Sequence, residues 1–385
     1  MKKPVALIAV ALAASCTLTF TACGGSTKNN AALSSNWYAN TAFKYIQPTI
    51  TEGNENFTAT EGAEKITYKV SYQAPEIGNG TYEVNYPGNN TYTTEFYAKT
   101  FVVSALTDGD YRSGYPSKAG FTAYYYKTVL DIQTITYKLK ASGEEKSFEG
   151  DKVVTECYFM PVGDYLRPLY SKQTVKSTSP ANLQANALEN GNAYKLIESE
   201  YENFYSYDGK SAKSVKKDIL TGETTVTVNN NLGDCKNSLF DFTSLNIVAR
   251  ATNLTTSLSQ VLSLYSPESG VQNYTLTGSD TPLSTDESTA ATLKTDFENK
   301  LYEKGLFKRV NDNEGNPVGL KTIAVSVLYG GEKSGVSQTY WFAAIDNAAN
   351  NTGRTTLLKM SVPLTYNLGT LNYTLQSFES TLWNK

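Results

Sequence analysis

Few side chains in this chain are placed to do chemistry, and the commonest catalytic type is absent. There is no histidine among the 385 residues. Within this chain that excludes a Ser-His-Asp or Cys-His nucleophile, a histidine-ligated zinc and a histidine pH switch. Ser214-Val215-Lys216-Lys217 matches a Ser-x-x-Lys pair, but two fixed positions in a Ser- and Lys-rich chain match by chance, and the partner motifs are missing. Gly209-Lys210-Ser211 has the ending of a phosphate loop, yet Phe204 stands where the loop needs its first glycine, so a solvated turn is expected. Asp108-Gly109-Asp110 and the Asp312/Glu314 pair could offer oxygens to calcium. Neither has the twelve-residue spacing of a calcium loop, and plain turns are expected at both. The 37 acidic residues contain no pair that spacing singles out for glycoside cleavage. No metal site, catalytic residue or cofactor is assigned, and a non-enzymatic protein is expected.

Cys23 is the exception. The chain opens Met1-Lys2-Lys3-Pro4, runs apolar from Val5 to Phe20, and ends that run Phe20-Thr21-Ala22-Cys23-Gly24-Gly25. A basic start before an apolar stretch too short to span a bilayer is the pattern of a secretory leader. Small residues just before a cysteine resemble a bacterial lipoprotein box. The resemblance implies cleavage after residue 22, lipid on Cys23 and a place on the extracytoplasmic face of the cell membrane. Acyl chains contribute about 0.8 kcal/mol per buried methylene, and two or more anchor stably. Ser26 to Asn36, polar and small, is expected to act as a tether. An extracytoplasmic address permits a disulfide between Cys157 and Cys235. Two unrelated thiols are the alternative.

Charge bounds the partners. Lys and Arg total 34 against 37 Asp and Glu, a net of −3, with no basic run. A nucleic-acid partner, which needs phosphates neutralised, is not expected.

The elements that must position any site are strands. Ile66, Tyr68, Val70 and Tyr72 alternate with Thr67, Lys69, Ser71 and Gln73, one apolar face and one wet face. The same alternation occurs at Tyr82-Val84-Tyr86, Ile135-Tyr137-Leu139, Leu245-Ile247-Ala249 and Ile323-Val325-Val327-Tyr329, with turn residues such as Pro87-Gly88-Asn89-Asn90, Ser142-Gly143 and Asn313-Glu314-Gly315-Asn316 between. Short loops between alternating runs predict antiparallel neighbours. Helix is expected at 181–190 and, more strongly, at 286–304, where Leu293, Phe297 and Leu301 share a face. A weaker helix is expected at 35–45. Tyr124-Tyr125-Tyr126 and Tyr340-Trp341-Phe342 must put rings on both faces of a strand. Such rings serve either as core under a second layer or as a platform for sugar or lipid. Residues 37–385 are expected to form a single β-rich domain, with 286–304 as a helical insertion.

Several stretches resemble bacterial exported proteins of unknown function with the open half-barrel of the lipoprotein-carrier type, as in LolA and LppX. Glu64 to Tyr72 with the turn and return strand at Ile77 to Tyr82 is similar to that family's opening hairpin. Val154 to Leu169 is similar to its middle strand and bend. Thr339 to Asp346 and Thr356 to Met360 are similar to its closing strands. The resemblance implies a large antiparallel sheet curled as an open half-barrel, covered by one or two short helices, that binds an apolar, lipid-like ligand or serves the envelope. The 286–304 helix is then a lid carrying Leu293, Phe297 and Leu301. A surface glycan-binding module is the alternative, and a carboxylate-dependent glycosidase a third.

Overall fold

Alternation that leaves every second residue apolar can bury one sheet face and no more, so the strands must curl around something. The computed structural model describes residues 64–77, 82–115, 120–162, 165–180, 194–230, 232, 239–251, 259–266, 270–279, 283–284, 309–329, 337–345, 353–364 and 368–380. Its main element is one sheet of fifteen strands. From one edge the order is β11 (Thr224–Asn229), β10 (Ala212–Asp218), β9 (Tyr194–Tyr205), β8 (Tyr165–Pro180), β7 (Lys152–Val162), β4 (Phe121–Asp131), β3 (Asn90–Phe101) and β1 (Glu64–Gln73). It continues with β21 (Thr370–Ser380), β20 (Gly353–Pro363), β19 (Ser337–Ile345), β18 (Thr322–Tyr329), β14 (Gly270–Ser279), β13 (Ser259–Ser266) and β12 (Leu239–Asp241). Neighbours are antiparallel except β12 and β13, which run parallel. No ladder joins β11 to β12 among the described residues: the sheet is an open half-barrel, mainly β, as the alternation predicts.

The inner face is filled by the chain itself. A second sheet, β2 (Tyr82–Asn85), β5 (Thr134–Leu139) and β6 (Glu145–Glu149), puts Tyr82, Val84, Ile135, Tyr137 and Leu139 into the same core as Tyr68, Tyr92, Tyr126 and Tyr373. Tyr137 OH donates to the Thr178 carbonyl at 3.1 Å. The join to β7 is tight: Ile132 N donates to Asp151 O at 2.8 Å, and a Cβ on Gly150 would lie 2.2 Å from Ile132 O.

Helix fills the rest. The segment 245–251 is not a strand, as its alternation predicts, but the helix α2 (Leu245–Ala251), entered through a 3-10 turn over Phe242–Ser244. The correction has a physical cause. Leu245, Ile247, Val248 and Ala249 are all buried, so an apolar residue at every second position carried no information about the period. The informative spacing was Asn246 and Arg250, four apart on one helix face. Asn246 donates to Tyr126 OH, and Arg250 forms a bidentate pair with Glu64 at 2.8 and 3.1 Å, almost wholly buried. The other described helix, α1 (Gly109–Ser113), lies on the outer side. A small third sheet joins β15 (Leu283–Ser284), β17 (Pro317–Leu320) and β16 (Arg309–Asn311). The helices expected at 35–45, 181–190 and 286–304 fall outside the described residues.

Because the sheet curls, its two ends meet, through side chains rather than backbone. Asp241 on β12 accepts from Ser171 Oγ on β8 at 2.6 Å, from Asn203 Nδ2 on β9 at 3.3 Å, and from Tyr205 OH. It also takes the Thr243 amide and hydroxyl at 2.8 and 2.6 Å. Ser214 Oγ on β10 donates to Asn203 Oδ1 at 2.6 Å and lies 3.0 Å from the Tyr265 hydroxyl on β13. A buried carboxylate is tolerable only with its lone pairs used, and here they are.

Candidate functional site

The strongest concentration of binding chemistry lies on the outer face of β3 to β10. Residues directly opposite one another in a ladder share a face. The register pairs Tyr97 with Tyr125, Tyr125 with Tyr158, Tyr158 with Tyr170 and Tyr170 with Phe204. Five strands therefore contribute one aromatic row. Ring centroids are 5.0, 4.9, 6.4 and 5.5 Å apart along it, all tilted. Lys99 Nζ sits 4.2 Å above the Tyr125 ring, within cation–π range.

The row beside it is charged. Lys65 pairs with Glu95, Glu95 with Lys127, Lys127 with Glu156, Glu156 with Lys172 and Lys172 with Glu202. The signs alternate across six strands, so opposite charges face each other at every step, the favourable arrangement. Two carboxylates join the rows: Tyr125 OH donates to Glu156, and Tyr170 OH donates to Glu202 at 2.6 Å. Burial and the adjoining Glu156 push Tyr125 well up, burial and then Glu202 do the same to Tyr170, and burial and Glu156 bring Tyr158 to about 12. All three phenols therefore stay neutral donors at physiological pH.

One flank of the aromatic row is roofed. Phe101, Val103, Leu106 and Tyr115 pack with Leu169 and Phe204, and Tyr111, Tyr158 and Tyr170 border them. Asp108 caps α1, accepting from the Asp110 and Tyr111 amides at 3.1 and 3.2 Å, and pairs with Lys213. Burial alone would raise the Asp108 carboxyl, but Lys213 and the two amides outweigh it and hold it below the usual range. Tyr97, Tyr158 and Tyr170 keep partial access to solvent, as do Glu95, Lys127, Glu156, Lys172 and Glu202.

The motifs singled out in the sequence fall apart or fall into turns. Ser214 and Lys217 lie three apart on a strand and face opposite sides, Ser214 inward and buried, Lys217 out to solvent. Gly209-Lys210-Ser211 is the β9–β10 turn, held by Ser206 and Asp208. Asp108-Gly109-Asp110 is a helix cap. Asp312 holds a turn through the Glu314 and Asn316 amides at 2.9 and 2.8 Å. Among the described residues no three His, Cys, Asp or Glu side chains gather into a metal site. Cys157 is buried on the inner face of β7, where burial and then the Asp241 charge push its thiol up. Cys23, Cys235, Leu293, Phe297 and Leu301 lie outside the described residues, and so do the lipidation, the disulfide and the lid that rest on them.

Tyr124 and Tyr126 point inward, while Tyr125 is in the outer row. Tyr340 and Phe342 are likewise inside, and Trp341 outside with Lys359 Nζ at 5.1 Å. Sequence reasoning found Tyr125 but not Tyr97, Tyr158 or Tyr170, because only the register brings them into line. It also missed Asp151, which is wholly buried between β6 and β7. Burial pushes its carboxyl up to about 7 against the pull of the Ser177 hydroxyl and the Thr178 amide.

No protein-family model matches the chain, and no curated protein does. What the structure bears out of the strand patterns is the open, mostly antiparallel half-barrel. Among solved structures, the chain is similar to a beta-barrel-like protein of the domain of unknown function DUF1849 from Brucella abortus. The identity is 9%, the TM-score 0.38, and the match covers 83% of this chain and 97% of that one.

Proposed function

We propose that the chain is a non-enzymatic envelope module, lipidated at Cys23 and held on the extracytoplasmic face of the cell membrane, that binds a glycan on the outer face of its sheet. The observation that carries this is the row Tyr97–Tyr125–Tyr158–Tyr170 lying alongside Glu95–Lys127–Glu156–Lys172–Glu202. A sugar has apolar C–H faces and a rim of hydroxyls. Amphipathic rings suit the faces, and charged donors and acceptors suit the rim. Three strand spacings make the tyrosine row about 14 Å long, the length of a short oligosaccharide. Alternating charge gives no basic stripe for nucleic acid.

The apolar-ligand reading rests on a lipid anchor, one apolar face per strand and a lid at 286–304, which lies outside the described residues. The chain's own β2–β5–β6 sheet and α2 pack against the inner face, which favours the outer face. Full-length protein applied to an array of bacterial and mucosal glycans should be retained on a subset. Tyr97→Ala combined with Tyr158→Ala should weaken that retention at least tenfold without changing the circular dichroism. Glycan retention indifferent to these substitutions would remove the site. Absence of retention, together with binding of an apolar fluorescent probe, would restore the lipid-like ligand. Cys23→Ala should move the protein out of the membrane fraction; unchanged fractionation would remove the anchor.

A further inference from the structure

The two edges of the large sheet are managed differently. β12 has three residues, all buried, and runs directly into a capped 3-10 turn. Among the described residues β11 carries none of the charge, proline or bulge that usually protects an edge. Its sequence is Thr-Thr-Val-Thr-Val-Asn, and five of its six residues are exposed. Val226 and Val228 are 53% and 51% exposed. Of the seven exposed large apolar residues among those described, Ile219, Leu220, Val226 and Val228 lie on this one hairpin. Among the described residues β11 pairs with β10 alone.

We propose that the β11 edge is a self-association surface, on which a second copy of this chain pairs β11 against β11 about a two-fold axis. The strand's own sequence selects this occupant. In an antiparallel pair, residues whose backbone groups point outward must face residues of the same kind, so the two residue numbers in each pair sum to an even number. Even positions meet even positions. With the axis at Thr227, Val226 faces Val228 of the other copy and Thr227 faces itself. Valine meets valine on the outer face, while on the inner face Thr227 meets Thr227 and Thr225 meets Asn229; the valine and threonine pairs are favourable cross-strand pairs. No charge opposes its like, because the strand has none. The contact is isologous and closes at two copies. A strand this short buries less than the ~1,200 Å² of a stable complex, so the association depends on concentration, and tethering on one membrane favours it.

The test uses the full chain carrying Thr227→Cys, oxidised at the membrane of the producing cell and run without reductant. Ser142→Cys, on an exposed hairpin turn far along the chain, serves as the control, and the native cysteines set the background. Thr227→Cys should give at least tenfold more disulfide-linked dimer than Ser142→Cys. Adding Val226→Lys and Val228→Lys, exposed positions that leave the fold intact, should return the yield to background. Equal yields from the two single variants would overturn the proposal. So would a dimer that survives the lysines, or a cross-linked band whose mass contains a different protein.

Discussion

Asp151 offers the clearest quantitative test of the fold. Its side chain is fully buried; Ser177 Oγ donates to Oδ1 at 2.5 Å, and Oδ2 has no hydrogen-bond partner among the described residues. Burial raises its carboxyl from the ordinary 3.8 to about 7. The sign follows directly. Below pH 4 the group is neutral in both folded and unfolded chains and costs nothing. Between pH 4 and 7 the unfolded chain releases a proton that the folded chain keeps, so stability falls as pH rises. Above 7 both forms are ionised and the penalty stays constant. About three pH units at ~1.4 kcal/mol each give an upper figure of ~4 kcal/mol. Asp151→Asn removes the titration and keeps the acceptor for Ser177. Its new amide can face the Tyr373 hydroxyl, which lies close enough to feel the Asp151 charge and lacks a partner of its own among the described residues. Urea titrations followed by tryptophan fluorescence at pH 4.5, 6 and 8 should place the variant near the wild type at the lowest pH and about 1–4 kcal/mol above it at pH 8. Other titrating groups are common to both proteins and cancel in the difference. A difference that does not change with pH, or a variant weaker than wild type at pH 8, would refute the reasoning.

Three further outcomes follow from the core. Gly150→Ala forces a Cβ to 2.2 Å from Ile132 O, so the β6–β7 join must open, and a loss of roughly 2 kcal/mol or more in denaturant titrations is expected; an unchanged midpoint would contradict the packing. Arg250→Met strands Glu64 in the core and should destabilise by about 3–5 kcal/mol, while the double variant with Glu64→Gln should recover part of that, as a double-mutant cycle would read. Alkylation of the unfolded chain without reductant should leave Cys157 and Cys235 unlabelled if they are bridged, with reduction of the bond costing roughly 2–5 kcal/mol; two labelled thiols exclude the bridge.

Much of the architecture was legible in the sequence, because a half-buried antiparallel strand writes its burial into every second residue. β1, β5 and β18 were read from their alternation alone, and the turns at Gly88, Gly143 and Gly315 fall where the chain takes positive φ. α2 was missed, since its apolar residues are buried on every side and only the Asn246/Arg250 spacing marks its period. The tyrosine row was not legible either. Tyr97, Tyr125, Tyr158 and Tyr170 are scattered along the chain and become neighbours only through three ladders whose register no local pattern encodes. Asp151 sits between Gly150 and Lys152 in ordinary polar surroundings, and Asp241, though flanked by Phe240 and Phe242, has no local mark of its partners on β8 and β9; only the folding of the sheet around them makes them interior groups.

The pairing of β1 with β21 has a consequence for how the chain reaches this state. The sheet order runs outward in two meanders, β3 to β11 on one side and β20 to β12 on the other, and among the described residues the only backbone ladder that joins them is the one between β1 and β21. Glu64 faces Ser380 across that ladder, so the first and last described strands stand side by side at the centre of the sheet. Each meander is built from contacts local in sequence and can form early. Their union waits for the pairing most distant in sequence among the described strands, the kind of contact that slows folding. Until β21 has left the ribosome, the centre of the sheet is an open edge on both halves. The sheet is therefore complete only once β21 has been made, and the union of β1 with β21 is the step at which two half-sheets become one body.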